Sequence, residues 1–169
     1  AGITENSYIN SDFLLFVMED RAGGIWVSSE YSGVARISVL NEGTSRIYPE
    51  NPELFDRSNA IRTIGEMPNG DIGITTRKGG LFTYDTHFNQ KMNKTYYQSN
   101  IYAVEKDADG KLWMGTRGEG LKIGDDWYRH DKLYLTTLSN NNIFAICRDA
   151  KDRMWIGTFG GGLDLAEPT

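Results

Sequence analysis

The chain has 169 residues and a formal net charge of −5 at pH 7. This length is enough to bury a hydrophobic core, and the acidic balance argues against a nucleic-acid partner, because such binding depends on clustered Lys and Arg. A hydrophobic content of 39% with a charged content of 24% is typical of a folded globular protein.

The first unit of the chain is a hairpin pattern. Residues 16–20 form an apolar run that ends in Glu19-Asp20, Gly23-Gly24 supplies a turn, and Trp26 lies in the returning run before Gly33. Glycine adopts positive φ without steric cost, so it suits such turns. The pattern predicts antiparallel strands joined by short turns.

The second unit keeps this frame but carries glycine where the first has tryptophan. Gly70 to Leu81 aligns with the first unit and places Gly73 opposite Trp26. We therefore expect the second unit to be less well packed. Gly73→Trp is expected to raise the melting temperature if a neighbour leaves space.

The third and fourth units repeat one another most closely. Asp109 to Leu121 is DGKLWMGTRGEGL, and Asp152 to Leu163 is DRMWIGTFGGGL. The preceding residues also agree, since Asn100 to Val104 aligns with Asn142 to Ile146. The Asp109-Gly110 step between two apolar runs is a strong hairpin signal, and we interpret it as a turn and not as a calcium loop.

The four units have a nearly constant period. The anchor positions 26, 73, 113 and 155 are 47, 40 and 42 residues apart. Such a period, with alternating apolar residues, predicts an all-β protein made of β-propeller blades, each a four-stranded antiparallel sheet. We treat 1–169 as one propeller segment. Its repeats, of roughly 42 residues, fall approximately at 1–40, 41–90, 91–131 and 132–169. The outer strands are expected near 45–48, 95–98 and 134–138.

Five residues are expected to anchor the repeats. The tryptophans should be buried between neighbouring blades, and a glycine two residues later should lie where a crowded strand has no room for a side chain. These anchors are Trp26, Trp113, Trp155, Gly115 and Gly157.

Few residues suggest chemistry. The histidines His87 and His130 have no ligands at metal spacing and are expected at the surface, and Cys147 is expected to be a buried, inert thiol that cannot form an internal disulfide. We predict no catalytic residue, no metal and no cofactor. Aromatic residues outside the repeat frame are candidates for ligand binding, with packing on a neighbouring blade as the alternative. They are Tyr96, Tyr97, Trp127 and Tyr128, the last two at a predicted hairpin tip.

The repeat resembles that of a known family. Asp149, Met154 to Thr158 and Gly160 to Leu163 are similar to the two-component regulator propeller repeat, and Asp107 with Leu112 to Thr116 agrees almost as well. This repeat is found in the extracytoplasmic sensor domains of hybrid two-component histidine kinases. The resemblance covers nearly the whole chain.

The resemblance implies a function. It indicates a periplasmic sensor segment that binds a small-molecule or oligosaccharide ligand, responds to a polysaccharide-derived or nutrient signal, and reaches the membrane only through parts outside 1–169. The segment itself would not be an enzyme, the histidine kinase lying elsewhere. Because family members close seven blades, the four blades would form part of a larger ring or be completed by a homodimer. The alternatives are a secreted propeller lyase or hydrolase acting on a polysaccharide, and a protein-interaction scaffold.

Overall fold

A computed structural model describes residues 13–30, 33–38, 43–49, 60–85, 87, 89–95 and 100–167. Every regular element among these residues is a β-strand. The strands are β1 (Leu14–Glu19), β2 (Ile25–Ser29), β3 (Val34–Ser38), β4 (Gly43–Ile47), β5 (Ile61–Glu66), β6 (Ile72–Thr76), β7 (Gly80–Tyr84), β8 (Gln90–Thr95), β9 (Ile101–Lys106), β10 (Leu112–Thr116), β11 (Leu121–Ile123), β12 (Asp126–Tyr128), β13 (Ile143–Arg148), β14 (Met154–Thr158) and β15 (Gly162–Ala166).

The strands form four successive antiparallel sheets. The first sheet is β1 to β4, the second β5 to β8, the third β9 to β12 and the fourth β13 to β15. Neighbours along the chain pair with one another, and the first strand of each sheet contacts the first strand of the next. The strands β1, β5, β9 and β13 therefore lie side by side around one axis, as in a propeller. The predicted all-β propeller fold is confirmed.

The outer strands agree only partly with prediction. Strand β4 overlaps the predicted 45–48, whereas β8 ends at Thr95 and the rest of the predicted 95–98 lies outside the described residues. The prediction of a strand at 134–138 is wrong, because these residues lie in turns. The Thr137 hydroxyl lies 3.1 Å from the carbonyl oxygen of Asp131 and 2.9 Å from that of Tyr134, which folds the segment back on itself. Strand β12 is the outer strand of the third sheet instead.

A carboxylate fixes the first hairpin of three sheets. In the first sheet, Asp20 Oδ1 accepts the Gly24 N–H at 2.8 Å while Oδ2 accepts Trp26 Nε1–H at 2.7 Å. The aspartate six residues before the tryptophan makes the same indole contact in the third and fourth sheets, from Trp113 to Asp107 at 2.9 Å and from Trp155 to Asp149 at 2.8 Å. The aspartate thus links the turn to the buried indole, which explains why both recur at this spacing.

The second sheet has neither the aspartate nor the tryptophan at these two positions. Its residue six positions before the anchor is Met67, and a Cβ atom placed on Gly73 would lie 2.5 Å from Met67 Sδ. Met67 is buried in the core shared with Leu81, Ile101 and Val104. The expectation that Gly73 leaves this unit less well packed is therefore wrong, because the methionine occupies the space beside the glycine. A flexible, apolar thioether suits such an irregular gap.

The two glycines that were predicted to lie in crowded positions differ in their surroundings. A Cβ atom on Gly115 would lie 3.0 Å from Ile143 Cβ and 3.3 Å from Ile146 Cδ1, so the prediction is confirmed there. For Gly157 it is wrong, since the nearest atom would be Ala145 Cβ at an ordinary 3.5 Å. The physical reason is position: the fourth sheet packs over Gly115, whereas no described strand packs over Gly157.

The hydrogen-bonded carboxylate of Asp149 predicts a loss of stability in acid. The indole of Trp155 and then the guanidinium of Arg153 donate hydrogen bonds that hold the pKa of Asp149 well below its ordinary 3.8. A carboxyl whose pKa is lower in the folded state stabilises the fold fully above the unfolded value, and this contribution is lost as the pH falls through the folded value. Asp149→Asn is therefore expected to flatten the fall in unfolding free energy below pH 3.8.

The measurement is urea unfolding at about pH 7 and at several values below about pH 4. Asp126→Asn, at an exposed aspartate on β12, is the matched control. An acid dependence in Asp149→Asn as steep as that of the unmodified chain would contradict the assignment.

Candidate ligand site on the axis

The innermost strands line a cavity of about 330 Å³ on the propeller axis. Each of these strands contributes the residue that stands eleven positions before its anchor. These four residues are Leu15, Arg62, Tyr102 and Phe144. Because the sheets repeat the same register, one chain position places all four side chains at the same level of the cavity.

Three of these side chains, Arg62, Tyr102 and Phe144, form a continuous stack. The guanidinium carbon of Arg62 lies 4.9 Å from the centre of the Tyr102 ring, and that ring lies 4.7 Å from the ring of Phe144. Phe159, in the turn between β14 and β15, continues the stack at 5.5 Å. Phe144 and Phe159 are both exposed. Such ring faces, with a cation at one end, bind the apolar faces of sugars or other flat groups.

The charges in the cavity are unequally compensated. Glu66 is balanced by two cations, with Lys106 Nζ at 2.9 Å and an Arg21 guanidinium nitrogen at 2.8 Å from its Oε1. Arg62, by contrast, has a buried Nε with no hydrogen-bond partner, and no ion pair within the described residues involves its side chain. A buried donor without a partner is costly unless a ligand or water satisfies it. The cavity thus places the Arg62 guanidinium beside aromatic rings, with the carboxylates of Glu66 and Glu105 also in its lining.

The structure places the predicted aromatic candidates elsewhere. Trp127 and Tyr128 lie on β12, the outermost strand of the third sheet, which begins directly after the two-residue turn of the β11–β12 hairpin. Both are exposed, and the Arg129 guanidinium lies 5.3 Å from the centre of the Trp127 ring. They are thus separated from the axial cavity by the width of the sheet. Tyr96 and Tyr97 fall outside the described residues.

The residues of the axial stack were missed by sequence reasoning because they lie inside the repeat frame. The sequence did carry one signal for them, the residue type at a single repeat position. This position is Leu15 in the first sheet, Arg62 in the second and an aromatic residue in the third and fourth. Strand alternation places this position opposite the core-facing residues. A strand position that varies in chemistry while its neighbours stay aliphatic indicates a surface open to a ligand.

Three other residues complete the comparison with prediction. Cys147 is exposed, so the expected buried thiol is wrong; it lies on the side of the fourth sheet that no described strand covers. His87 is exposed, whereas His130 is partly buried and its Nδ1 lies 2.6 Å from the Leu138 carbonyl oxygen. No group of three His, Cys, Asp or Glu side chains within the described ranges could hold a metal ion.

The sequence repeats match a family model. Residues 98–118 and 137–160 match the two component regulator propeller model. A comparison with curated protein sequences gives no match. No helix among the described residues is long and apolar enough to cross a membrane.

Several solved structures share the fold. One is the extracellular domain of BT4673 of B. thetaiotaomicron, assigned to the hybrid two component systems, with a TM-score of 0.78 and 22% identity over 98% of this chain and 23% of that chain. The extracellular domain of BT3049 from the same organism matches with a TM-score of 0.59 and 20% identity, over 93% of this chain and 27% of that chain. A catalytically inactive virginiamycin B lyase of Staphylococcus aureus with quinupristin matches with a TM-score of 0.63 and 14% identity, over 90% of this chain and 54% of that chain.

These comparisons agree with the strand arrangement. The chain spans about a quarter of the length of the two B. thetaiotaomicron domains and about half of the lyase. At these identities the structural matches establish the propeller fold, and the two matched segments establish the kind of repeat. Two segments of the chain therefore match the two component regulator propeller repeat, and the whole chain folds as successive sheets of a β-propeller.

Proposed function

We propose that this chain is a ligand-binding segment of the periplasmic propeller of a two-component sensor histidine kinase, in which a polysaccharide-derived or nutrient ligand is sensed. The observation that carries the proposal is the match of two segments to the two component regulator propeller model. The likeness in fold to two extracellular domains of such systems supports it. The segment itself would bind and not catalyse, and the kinase would lie outside 1–169.

The axial cavity supports an oligosaccharide as the ligand. Sugar rings present apolar C–H faces that can pack on the exposed ring of Phe159 at the end of the stack, and Arg62 offers charged donors to an anionic substituent. The best fit to this combination is a uronic-acid oligosaccharide. Ligand binding would bias the equilibrium between two arrangements of the sensor only by its difference in affinity for them.

The binding test compares two sugars by titration calorimetry. We expect tri-galacturonate to bind and maltotriose to bind at least tenfold more weakly, since a charge-assisted hydrogen bond to Arg62 contributes about 1.5–3 kcal/mol. Arg62→Met keeps the stem and removes the charge, and should weaken tri-galacturonate binding about tenfold or more.

Arg129→Met is the matched control. It removes a guanidinium that also lies over an aromatic ring, that of Trp127, but on the outer strand. Equal losses of affinity in both variants would contradict the axial site. A loss confined to Arg129→Met or Trp127→Ala would move the site to β12.

A second candidate is a propeller lyase acting on a polysaccharide. The fold it shares with virginiamycin B lyase favours this alternative. It predicts turnover of the sugar, seen as a new unsaturated product, where the sensor proposal predicts binding without turnover.

A further inference from the structure

The innermost strand of each sheet has an irregular pairing at one position. In the second sheet, Ile61 and Thr63 pair with neighbouring residues of β6, so Arg62 between them has no partner on that strand. The residues left without a partner in the other three sheets are Leu15, Tyr102 and Phe144. An extra residue of this kind is a β-bulge, which bends the strand and re-aims a side chain. The bulge recurs at the repeat position that lines the axial cavity.

The bulge is best seen in the second and third sheets, which each have a neighbouring sheet on both sides. There the residues on either side of the bulge are buried, at 0–4% exposure, namely Ile61, Thr63, Ile101 and Ala103. Arg62 and Tyr102, at the bulge itself, are partly exposed and reach the cavity. The bulge therefore turns toward the axis a side chain that regular pairing would bury against a neighbouring sheet.

Charged residues at regularly paired positions of the same strands bind other parts of the protein. Glu66 and Lys106, at the far ends of β5 and β9, form an ion pair at 2.9 Å, and Glu105 accepts the backbone N–H of Lys106 at 2.9 Å. Arg148, at the equivalent position of β13, has a guanidinium nitrogen 3.5 Å from a carboxylate oxygen of Asp152. Arg62 forms no ion pair with a described residue, and its buried Nε has no hydrogen-bond partner. A charge that the fold leaves unpaired at a bulge favours a role in binding.

We propose that the bulge is the specificity-determining position of the axial site, at which each sheet presents one side chain to the ligand. The residue that occupies the bulge decides which charge on a ligand is bound. Arg62 selects an anionic group, and the ring of Tyr102, stacked between Arg62 and Phe144, holds the guanidinium in place. This inference rests on the proposed function, since it concerns the ligand of the same cavity.

The first test reverses the charge at the bulge. Arg62→Glu replaces the guanidinium with a carboxylate, and titration calorimetry compares tri-galacturonate with tri-glucosamine at about pH 6, where the amines of the second sugar are protonated. We expect the unmodified chain to bind tri-galacturonate at least tenfold more tightly than tri-glucosamine. Arg62→Glu is expected to bind tri-glucosamine at least tenfold more tightly than tri-galacturonate, because one charge-assisted hydrogen bond is enough for a difference of this size.

Arg148→Glu is the matched control. Arg148 is also an arginine on an innermost strand, but it lies at the opposite end of that strand from the bulge and is regularly paired. The substitution changes the net charge of the chain by the same amount. We expect Arg148→Glu to keep the preference for tri-galacturonate.

The second test asks whether the fold needs the residue at the bulge, and it requires no ligand. Thr63→Glu introduces the same carboxylate one residue further along β5, where the side chain is 3% exposed. We expect Thr63→Glu to lower the melting temperature by at least about 10 °C, because it buries an unpaired charge. Arg62→Glu is expected to lower it by at most about 4 °C, since its side chain lies in the cavity.

Failure of the proposed ligand and failure of this inference give different results. An unmodified chain that binds neither sugar would contradict the proposed ligand, and the melting temperatures would then decide the role of the bulge. Equal falls in melting temperature for Arg62→Glu and Thr63→Glu would place Arg62 in the core and overturn the inference. It would also be overturned if tri-galacturonate bound the unmodified chain and Arg62→Glu kept the same order of affinities, or if Arg148→Glu reversed that order to the same extent.

Discussion

Replacing Trp26 with alanine is expected to lower the free energy of unfolding by about 3–5 kcal/mol, the range for removing a large buried aromatic side chain. The indole of Trp26 has no exposed surface and lies in the core shared by the first and second sheets. Its Nε1–H also donates to Asp20, whose carboxylate holds the adjoining turn. The substitution therefore opens a cavity and removes a buried hydrogen-bond donor together. Urea unfolding measures the loss.

Trp155→Ala is the matched comparison. Trp155 makes the same hydrogen bond to its aspartate but is only partly buried, on the side of the fourth sheet that no described strand covers. In dilute solution we expect it to cost less than half of the loss at Trp26, since less apolar area leaves water there on folding. Equal losses at both positions would contradict the difference in burial between the two indoles.

The second large effect is expected at Gly73. Gly73→Trp should lower the free energy of unfolding by about 1–3 kcal/mol, because overpacking a filled core has this typical cost. Met67 Sδ already lies 2.5 Å from the position of the new Cβ, and Met67 is itself buried. For a chain of this length, the loss corresponds to a melting temperature lower by about 2–4 °C per kcal/mol. The melting temperature is therefore expected to fall, whereas the alignment of the repeats alone predicted that it would rise.

The double substitution Met67→Asp with Gly73→Trp tests whether Met67 causes the loss of stability in Gly73→Trp. It restores the residue types that form the aspartate–indole hydrogen bond in the other three sheets. We expect the double variant to be more stable than the sum of the two single losses predicts, by at least about 1 kcal/mol in a double-mutant cycle. Met67→Asp alone buries a carboxylate without an indole donor and is expected to be the less stable single variant. Additive losses would show that the two positions are not coupled.

Much of the fold could be predicted because it rests on local rules. The glycine turns, the alternation of apolar residues and the spacing of Trp113 and Trp155 depend on neighbouring residues in the chain, and they predicted the hairpins correctly. The outer strand of the third sheet could not be found in this way. Residues 134–138 have suitable side chains for a strand, but hydrogen bonds of Thr137 to two backbone oxygens select turns.

The candidate site was harder to predict than the fold. Trp127 and Tyr128 stand out in the sequence, since they interrupt the repeat, but they lie on an outer strand. Arg62, Tyr102 and Phe144 are separated by about forty residues each and meet only because the register of the sheets is the same. They are close together because the blades are arranged around one axis. The number of residues between them in the sequence does not predict this.

The sequence by itself determined the repeat, its period, the hairpins and the propeller class, because each depends on backbone preferences and on side-chain alternation within about forty residues. Only the tertiary structure decided the rest. It showed that Met67 occupies the space beside Gly73 and that Arg62 stacks on Tyr102 in the axial cavity. The physical reason is that packing between blades joins residues whose separation in the chain carries no local signal.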